Sequence, residues 1–359
     1  PEAREPRGRQ DDVPLPDAAT LLDVLVVDTL TAVVVGVTSA QPAGFGPVVA
    51  GVAGSASTYT FSGTRLTWTT KPPMPGSLSG LGAAVINESL YVAGGTSGGA
   101  PLASAYRYDL STDSWAPIAP LPTGRTGVTL AAVGGTVYAF GGFDGGSYLQ
   151  EVQAYDPATD TWTLRNNAMP TARNGMAVAV VGGNVYLIDG FQSGSPQDAV
   201  EVYDPVANTW AVKAPDPDPR TGAGAGVAGG LIYVFGGTDS GGYTALTEVF
   251  DPVANTWSTK ASLPMARGEI AGVSLNGRVY AVGGVDGGGY GPAVVEYDPA
   301  NDRWVAQPNM ATGRGSLAST AFAGRIAAVG GFSGVTALKT LELGAPGFGP
   351  GAVLTFTIT

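Results

Sequence analysis

The sequence predicts an all-β protein built from a repeated four-stranded unit. Its six tryptophans fall 47 or 48 residues apart, at Trp68, Trp115, Trp162, Trp210, Trp257 and Trp304. A period in this range is typical of folds in which each repeat is one supersecondary element. The composition agrees, because 55 Gly and 27 Pro accompany a hydrophobic content of 44%. Such a mixture favours short strands joined by tight turns.

The copy that contains Trp162 shows the four strands of the unit. The apolar runs Val128–Val133 and Val137–Phe140 are separated by a pair of glycines, and the second run ends at Gly141-Gly142. A third strand, Glu151–Tyr155, follows a Gly-rich loop, and an Asp-Pro turn leads to the fourth strand at Trp162. Turns formed by glycine pairs and Asp-Pro between short strands predict an antiparallel meander. No segment has the 3.6-residue apolar period of an amphipathic helix.

The aromatic residues carry a resemblance to a known repeat. In five copies an aromatic residue stands seven residues before the tryptophan, and these pairs are Tyr108/Trp115, Tyr155/Trp162, Tyr203/Trp210, Phe250/Trp257 and Tyr297/Trp304. A double glycine precedes four of these pairs, and Asp189-Gly190 replaces it in the remaining copy. The pattern resembles the kelch repeat of bacterial secreted proteins and covers most of the chain. The resemblance implies a β-propeller whose Tyr and Trp side chains pack between neighbouring blades.

The ends of the chain leave the number of blades open. Gly330-Gly331 begins a copy without a following tryptophan, while Pro14-Leu15-Pro16 aligns with the start of a regular unit. We favour seven blades, with Val353–Ile358 as the fourth strand of the last one. The alternative is a six-bladed ring, completed by Leu66–Thr69, plus a small β-domain from the two termini.

The favoured solution divides the chain into a charged arm and a propeller. The propeller spans residues 14–359, and its parts are a degenerate first blade (14–70), five regular blades (71–314) and a last blade with a C-terminal strand (315–359). The arm, residues 1–13, contains closely spaced acidic and basic residues among Pro and Gly. Such a segment is expected to be solvated unless a partner surface covers it.

Composition excludes several classes of function. The net charge of −11 argues against nucleic acid as a partner. No apolar run reaches the ~20 residues that a membrane helix requires. The chain has no Cys and no His, so it lacks the ligands of the copper site that galactose oxidase, a kelch-propeller enzyme, uses. We therefore expect no cofactor, no metal and no enzymatic activity.

Two recurring features are candidates for ligand binding, and both are expected on one face of the propeller. The first is an arginine before each first strand: Arg125, Arg173, Arg220, Arg267 and Arg314. A ring of guanidinium groups could bind an anion through forked hydrogen bonds, and the structural alternative is pairing with backbone carbonyls between blades. Glu269 follows this position in one copy where others have Gly, and it is the best single candidate for a specific role.

The second feature is the loop after the double glycine, where three copies share an Asp and a Tyr. These residues are Asp144 and Tyr148, Asp239 and Tyr243, and Asp286 and Tyr290. An exposed Tyr beside an Asp is suited to stacking on sugar rings or gripping a peptide. The structural alternative is a glycine-rich turn capped by Asp.

These features predict an extracellular binding module that recognises a glycan or a protein. Few lysines, no Cys and a neutral surface rich in Gly and Thr suit a secreted or cell-surface protein. One alternative is a structural subunit that polymerises through the arm, Thr58–Phe61 or Val353–Ile358. A further alternative is a hydrolase or epimerase that acts on sugars.

Overall fold

The computed structural model describes residues 64–348, which form an all-β fold. Within this range there is no helix, and hence none long and apolar enough to cross a membrane. The strands form six four-stranded antiparallel sheets and three two-stranded hairpins. The all-β class and the four-stranded antiparallel unit expected from the sequence are thereby confirmed.

Each of the first five sheets uses strands in chain order. Strand β1 (Thr64–Lys71) precedes the first blade. Blade 1 contains β2 (Gly82–Ile86), β3 (Ser89–Ala93), β4 (Ala105–Asp109) and β5 (Ser114–Pro117). Blade 2 contains β6 (Thr129–Val133), β7 (Thr136–Phe140), β8 (Val152–Asp156) and β9 (Thr161–Leu164).

Blades 3 to 5 add a small hairpin between their second and third long strands. Blade 3 contains β10 (Ala177–Val181), β11 (Asn184–Ile188), the hairpin β12 (Phe191–Gln192) and β13 (Ser195–Pro196), β14 (Val200–Asp204) and β15 (Thr209–Val212). Blade 4 contains β16 (Gly224–Ala228), β17 (Leu231–Phe235), the hairpin β18 (Thr238–Asp239) and β19 (Gly242–Tyr243), β20 (Thr247–Asp251) and β21 (Thr256–Lys260). Blade 5 contains β22 (Ala271–Leu275), β23 (Arg278–Val282), the hairpin β24 (Val285–Asp286) and β25 (Gly289–Tyr290), β26 (Val294–Asp298) and β27 (Arg303–Gln307).

The sixth blade joins the two ends of the described chain. It contains β28 (Ala318–Phe322), β29 (Arg325–Val329) and β30 (Leu341–Phe348), and β1 pairs antiparallel with β30 as its fourth strand. Trp68 of β1 lies opposite Gly344 of β30, so it is the tryptophan that the last copy lacks in sequence. A Cβ on Gly344 would lie 3.0 Å from the Trp68 ring, so this ring packs directly over the glycine that replaces the usual aromatic residue.

The favoured count of seven blades is wrong, because the described residues close a ring of six. The first strand of each blade contacts that of the next, and β28 contacts β2. This closure leaves no place in the ring for another blade, and β1 takes the position that we predicted for Val353–Ile358. Residues 1–13, residues 14–63 of the predicted first blade, Thr58–Phe61, Val353–Ile358 and a small domain from the termini lie outside the described residues.

The tryptophan period has a direct structural cause. Each tryptophan lies in the fourth strand of a blade, and its indole N–H donates to a carbonyl of the segment that connects the preceding blade to its own, at 2.8–3.2 Å. Five tryptophans also pack on the aromatic residue opposite, with ring centroids 5.0–5.2 Å apart. The repeated tryptophans therefore link each blade to the segment that connects it with the preceding blade.

Candidate functional site

Both predicted features lie on the same face of the ring. The segment that follows each arginine forms a β-bridge with the loop after the second strand. These bridges are Thr126–Phe143, Asn174–Phe191, Thr221–Thr238, Gly268–Val285 and Gly315–Phe332. The connections between blades and the loops thus meet around the mouth of the central channel, which we call the loop face.

The five arginines lie inside the blades rather than open to the channel. Arg125, Arg173, Arg220 and Arg314 are fully buried, and Arg267 is 4% exposed. Arg173 contacts Glu201 at 2.6 Å, and Arg314 contacts Glu342 at 2.9 Å. These partners are glutamates of the same blade, whereas the structural alternative expected carbonyls between blades. A direct role for the whole ring in ligand binding finds no support in this placement.

Three of the arginines share one orientation. The Nη1 atoms of Arg220, Arg267 and Arg314 donate to the carbonyl oxygen 26 residues later, at 3.2–3.4 Å. In Arg220 and Arg314 the Nη2 atom donates to the glutamate 28 residues later. In these two blades the guanidinium group therefore holds the segment before the first strand to the start of the third long strand, through a carbonyl and a carboxylate.

Arg220 has an excess of acidic partners. It forms ion pairs with Glu248, with Asp216 at 3.3 Å and with Asp189 at 3.6 Å, and all four side chains are buried. Asp189 is the residue that replaces the first glycine of the double glycine. Burial and the nearby Asp216 carboxylate raise the pKa of Asp189 well above its usual range, and burial raises the pKa of Glu248 to about 8. We call Arg220 and these carboxyls the Arg220 cluster.

Arg267 has no acidic partner within residues 64–348. Position 295, which corresponds to Glu248 and Glu342, is a valine. The Nε and Nη2 atoms of Arg267 have no hydrogen-bond partner among the described residues. Burial lowers the pKa of Arg267 to about 10, so the group remains protonated at neutral pH.

The aspartates of the loops cap turns, as the structural alternative expected. The Asp144 carboxylate accepts hydrogen bonds from the amides of Gly146 and Ser147 at 2.8 and 2.7 Å. Asp239 and Asp286 accept equivalent bonds from the amide two residues later, at 2.6 and 2.7 Å. Their Oδ1 atoms are thus engaged within the loop, although these side chains are not buried.

The tyrosines of the loops differ in their surroundings. Tyr148 packs between Phe143 and Phe191, with ring centroids 5.1 and 6.1 Å away. Tyr290 packs edge-on against Phe332 at 5.3 Å. Tyr243 is 43% exposed, so it is the tyrosine of the three that presents most of its ring to a ligand.

A cavity of about 490 Å³ occupies the mouth of the channel on the loop face. Its polar lining consists mainly of hydroxyl and amide side chains: Thr126, Asn174, Thr221, Thr238 and Ser316. Phe191 contributes an aromatic wall. Among the described residues that line it, Glu269 is the only charged one.

Glu269 and Ser316 stand out by their backbone. At the equivalent position the other four blades have Gly80, Gly127, Gly175 and Gly222, each with a φ of 62°. Glu269 and Ser316 adopt the same left-handed region, with φ of 50° and 48°. A side chain there costs about 1 kcal/mol or more relative to glycine, and such strain is typical of functional sites.

The two side chains are also bonded to each other. The Ser316 hydroxyl donates to Glu269 Oε2 at 2.8 Å across the boundary between blades 5 and 6. A Cβ on Gly315 would lie 3.0 Å from Glu269 Oε2 and 3.1 Å from the Tyr290 ring, so this glycine keeps the space between them open. Burial, with the Glu269 carboxylate nearby, raises the pKa of Tyr290.

The comparisons with known proteins agree with this architecture. The model of the KLHDC2/KLHL20/DRC7 Kelch-repeats domain matches residues 45–216, and that of the Kelch motif matches residues 219–264 and 266–311. Together the two cover most of the chain. The chain belongs to the kelch-repeat β-propeller family. Kelch propellers are generally binding modules, and many bind proteins.

One solved structure, "Structure of YjhT", shares the fold of this kelch propeller. Its TM-score with this chain is 0.68 at 16% sequence identity. The match covers 80% of this chain and 99% of that one. No curated protein matches the chain. At this identity the likeness shows the fold alone.

The kelch propeller contains site residues that the sequence reasoning missed. Ser316, the partner of Glu269, could have been found because it too stands where other copies have glycine. The pairing of arginine with glutamate also has a signal, since Arg173/Glu201, Arg220/Glu248 and Arg314/Glu342 are each 28 residues apart. Within residues 64–348, no group of three or more His, Cys, Asp or Glu side chains is arranged to hold a metal ion.

Proposed function

We propose that this kelch propeller is an extracellular binding module that holds a glycan at the mouth of its channel. The proposal rests on Glu269, whose backbone has a strained positive φ at a position where most blades have glycine. Strain of this kind persists where the surrounding structure imposes it, and it concentrates at ligand sites. The proposed location outside the cell rests on composition: few lysines, no Cys and many Gly and Thr.

The chemistry of the cavity favours a saccharide. Hydroxyl and amide groups can exchange hydrogen bonds with sugar hydroxyls, and the Glu269 carboxylate can accept from two of them. Phe191 in the lining, and the exposed Tyr243 opposite the lining residue Thr238, are suited to the apolar faces of sugar rings. The volume of about 490 Å³ is in the range of small-ligand sites.

The same geometry favours binding over the sugar hydrolysis that we kept as an alternative. Hydrolysis of a glycosidic bond generally uses two carboxyl groups on either side of the bond. The described lining offers Glu269 and no second carboxylate. We therefore assign Glu269 the role of a hydrogen-bond acceptor for a sugar hydroxyl.

A test uses a glycan array followed by calorimetry with a captured saccharide. Glu269→Gly removes a charge-assisted hydrogen bond, so we expect affinity to fall about 10- to 100-fold. The variant also relieves the left-handed strain, and we expect the free energy of unfolding to rise by about 1 kcal/mol. Loss of binding together with a gain of stability separates a ligand role from a structural one.

Ala323→Gly is the matched control for the strain. Ala323 also has a positive φ, of 48°, but it lies in the exposed turn between β28 and β29 and does not line the cavity. We expect the same small gain in stability and unchanged glycan affinity. Unchanged affinity in Glu269→Gly, or an array without any bound glycan, would refute the proposal.

A protein ligand is the second candidate, and exposed apolar residues of the loop face favour it. Tyr243 is 43% exposed, and Val335 is 89% exposed in the corresponding loop of blade 6. Exposed aromatic and aliphatic side chains are typical contacts of protein partners. Binding of a purified partner that is weakened by Val335→Ser and unaffected by Glu269→Gly would favour this candidate.

A further inference from the structure

Arg267 is a buried cation whose counter-charge is missing from the described part of the chain. Its side chain is 4% exposed, and its Nη2 atom has no hydrogen-bond partner within residues 64–348. An isolated buried charge costs several kcal/mol unless something compensates for it. The negative charge of Asp286, in the loop of the same blade, interacts with Arg267 at a distance. The Asp286 carboxylate accepts a hydrogen bond from the amide of Gly288 at 2.7 Å and forms no ion pair with Arg267.

The orientation of Arg267 shows where the counter-charge belongs. Its Nη1 atom donates to the Ala293 carbonyl at 3.3 Å, as the Nη1 atoms of Arg220 and Arg314 do to their equivalent carbonyls. In those two arginines Nη2 meets the carboxylate of Glu248 or Glu342. The free Nη2 of Arg267 therefore points to the place that a carboxylate occupies in the blades of those two arginines.

Blade 5 has a shorter side chain at that place. Val295 stands where the blades of Arg220 and Arg314 have glutamate, and a valine side chain is shorter than glutamate by the length of the carboxylate. Its cross-strand partners are Ala281 and Ala306, so neither neighbouring strand supplies a larger side chain. In blade 4 the corresponding partners of Glu248 are Val234 and Thr259.

We propose that blade 5 binds a small monovalent anion, chloride or an ion of its size, against the Nε and Nη2 atoms of Arg267. The ion takes the place of the glutamate carboxylate and neutralises the buried guanidinium group. It is a site distinct from the channel mouth, because Arg267 does not line that cavity. Two adjacent N–H donors on a planar cation are a suitable geometry for a single anion.

The test measures thermal unfolding of the full chain at constant ionic strength, with sodium chloride replaced stepwise by sodium gluconate. Gluconate is too large for the space left by a carboxylate. Because an ion that binds only the folded state stabilises it, we expect a saturable rise in Tm with chloride, of roughly 2 °C at tenfold excess over Kd. An equal Tm in the two salts would overturn the proposal.

Two substitutions of one residue provide the matched controls. Val295→Glu supplies the carboxylate that Arg220 and Arg314 have, and we expect the dependence on chloride to disappear. Val295→Ala keeps the space and adds no charge, so the dependence should remain. A chloride dependence that persists in Val295→Glu would contradict the assignment.

Anomalous diffraction from crystals soaked in bromide tests the site in the unmodified chain and requires no variant to fold. We expect a bromide peak within about 3.5 Å of the Arg267 guanidinium, the distance of a hydrogen bond to a halide. Absence of a peak there, with bromide bound only elsewhere, would overturn the proposal.

Discussion

Arg220 and Arg267 occupy equivalent positions in adjacent blades, yet their surroundings differ in charge. Arg220 meets three buried carboxyls, whereas Arg267 meets none among the described residues. Both donate through Nη1 to the carbonyl 26 residues later. The repeat thus preserves the backbone contact of the arginine and leaves its counter-charge free to vary. Copies of a repeat can diverge in buried charge while their main-chain geometry remains the same.

The largest expected effect on stability concerns Arg220. Arg220→Leu leaves the carboxyls of the Arg220 cluster without their cation, so we expect the free energy of unfolding to fall by about 3–5 kcal/mol at pH 7. Arg267→Leu removes a cation that lacks a carboxylate, and we expect a loss below about 2 kcal/mol, mainly from its bond to Ala293. Urea unfolding of the two variants measures the difference. Equal losses would show that the carboxyls of the cluster do not depend on Arg220.

The next effect concerns pH. The raised pKa values of Asp189 and Glu248 mean that the folded state retains protons that the unfolded chain releases. Their contribution to stability is therefore complete below about pH 4 and is lost as the pH rises towards about 8. Asp189→Gly restores the glycine of the repeat and removes one carboxyl, so this decline should become shallower. At pH 8 we expect a gain of about 2 kcal/mol in the free energy of unfolding.

Denaturant unfolding between pH 5 and 8 tests this prediction. Asp189→Asn is the control, because it removes the ionisable group but keeps a side chain at a φ of 60°. We expect it to flatten the pH dependence without the full gain in stability. Curves that run parallel for the wild type and both variants would contradict the assigned titration.

The smallest expected effect on stability concerns a third arginine. Arg125 is fully buried, but its partner Glu151 is 38% exposed, at 2.7 Å. Water can solvate much of this carboxylate, so Glu151→Gln should cost at most about 1 kcal/mol in unfolding free energy. Glu201→Gln, at a carboxylate that is 2% exposed, should cost several times more. Similar costs for both would mean that burial of the carboxylate does not set the strength of the pair.

Much of the fold follows from local patterns. The tryptophan period and the aromatic residue seven positions earlier predict the four-stranded blade, because both side chains belong to one antiparallel pair of strands. The number of blades was mispredicted, since Trp68 completes a sheet whose other strands lie at the far end of the chain. The period includes Trp68 and allowed the six-bladed alternative completed by Leu66–Thr69, but it does not show which strand Trp68 joins.

The candidate site was predictable in part. Glu269 departs from the glycine of most other copies, and this exception is visible in the sequence without its contact to Ser316. The periodicity of the arginines places them on one face but does not report on burial, which depends on the side chains packed around them. The loss of the glutamate partner of Arg267 is visible as Val295 only once the spacing of 28 residues is known.

The pairing of β1 with β30 has a consequence for biosynthesis. Ribosomes produce β1 early, yet the strand that it joins is among the last of the propeller to emerge. Until then β1 has an unpaired edge, and the first and sixth blades cannot meet. We expect nascent chains that stop short of residue 341 to lack a closed ring. Such chains should be susceptible to proteases even if their earlier blades are correctly folded. Closure of the ring thus requires synthesis through β30.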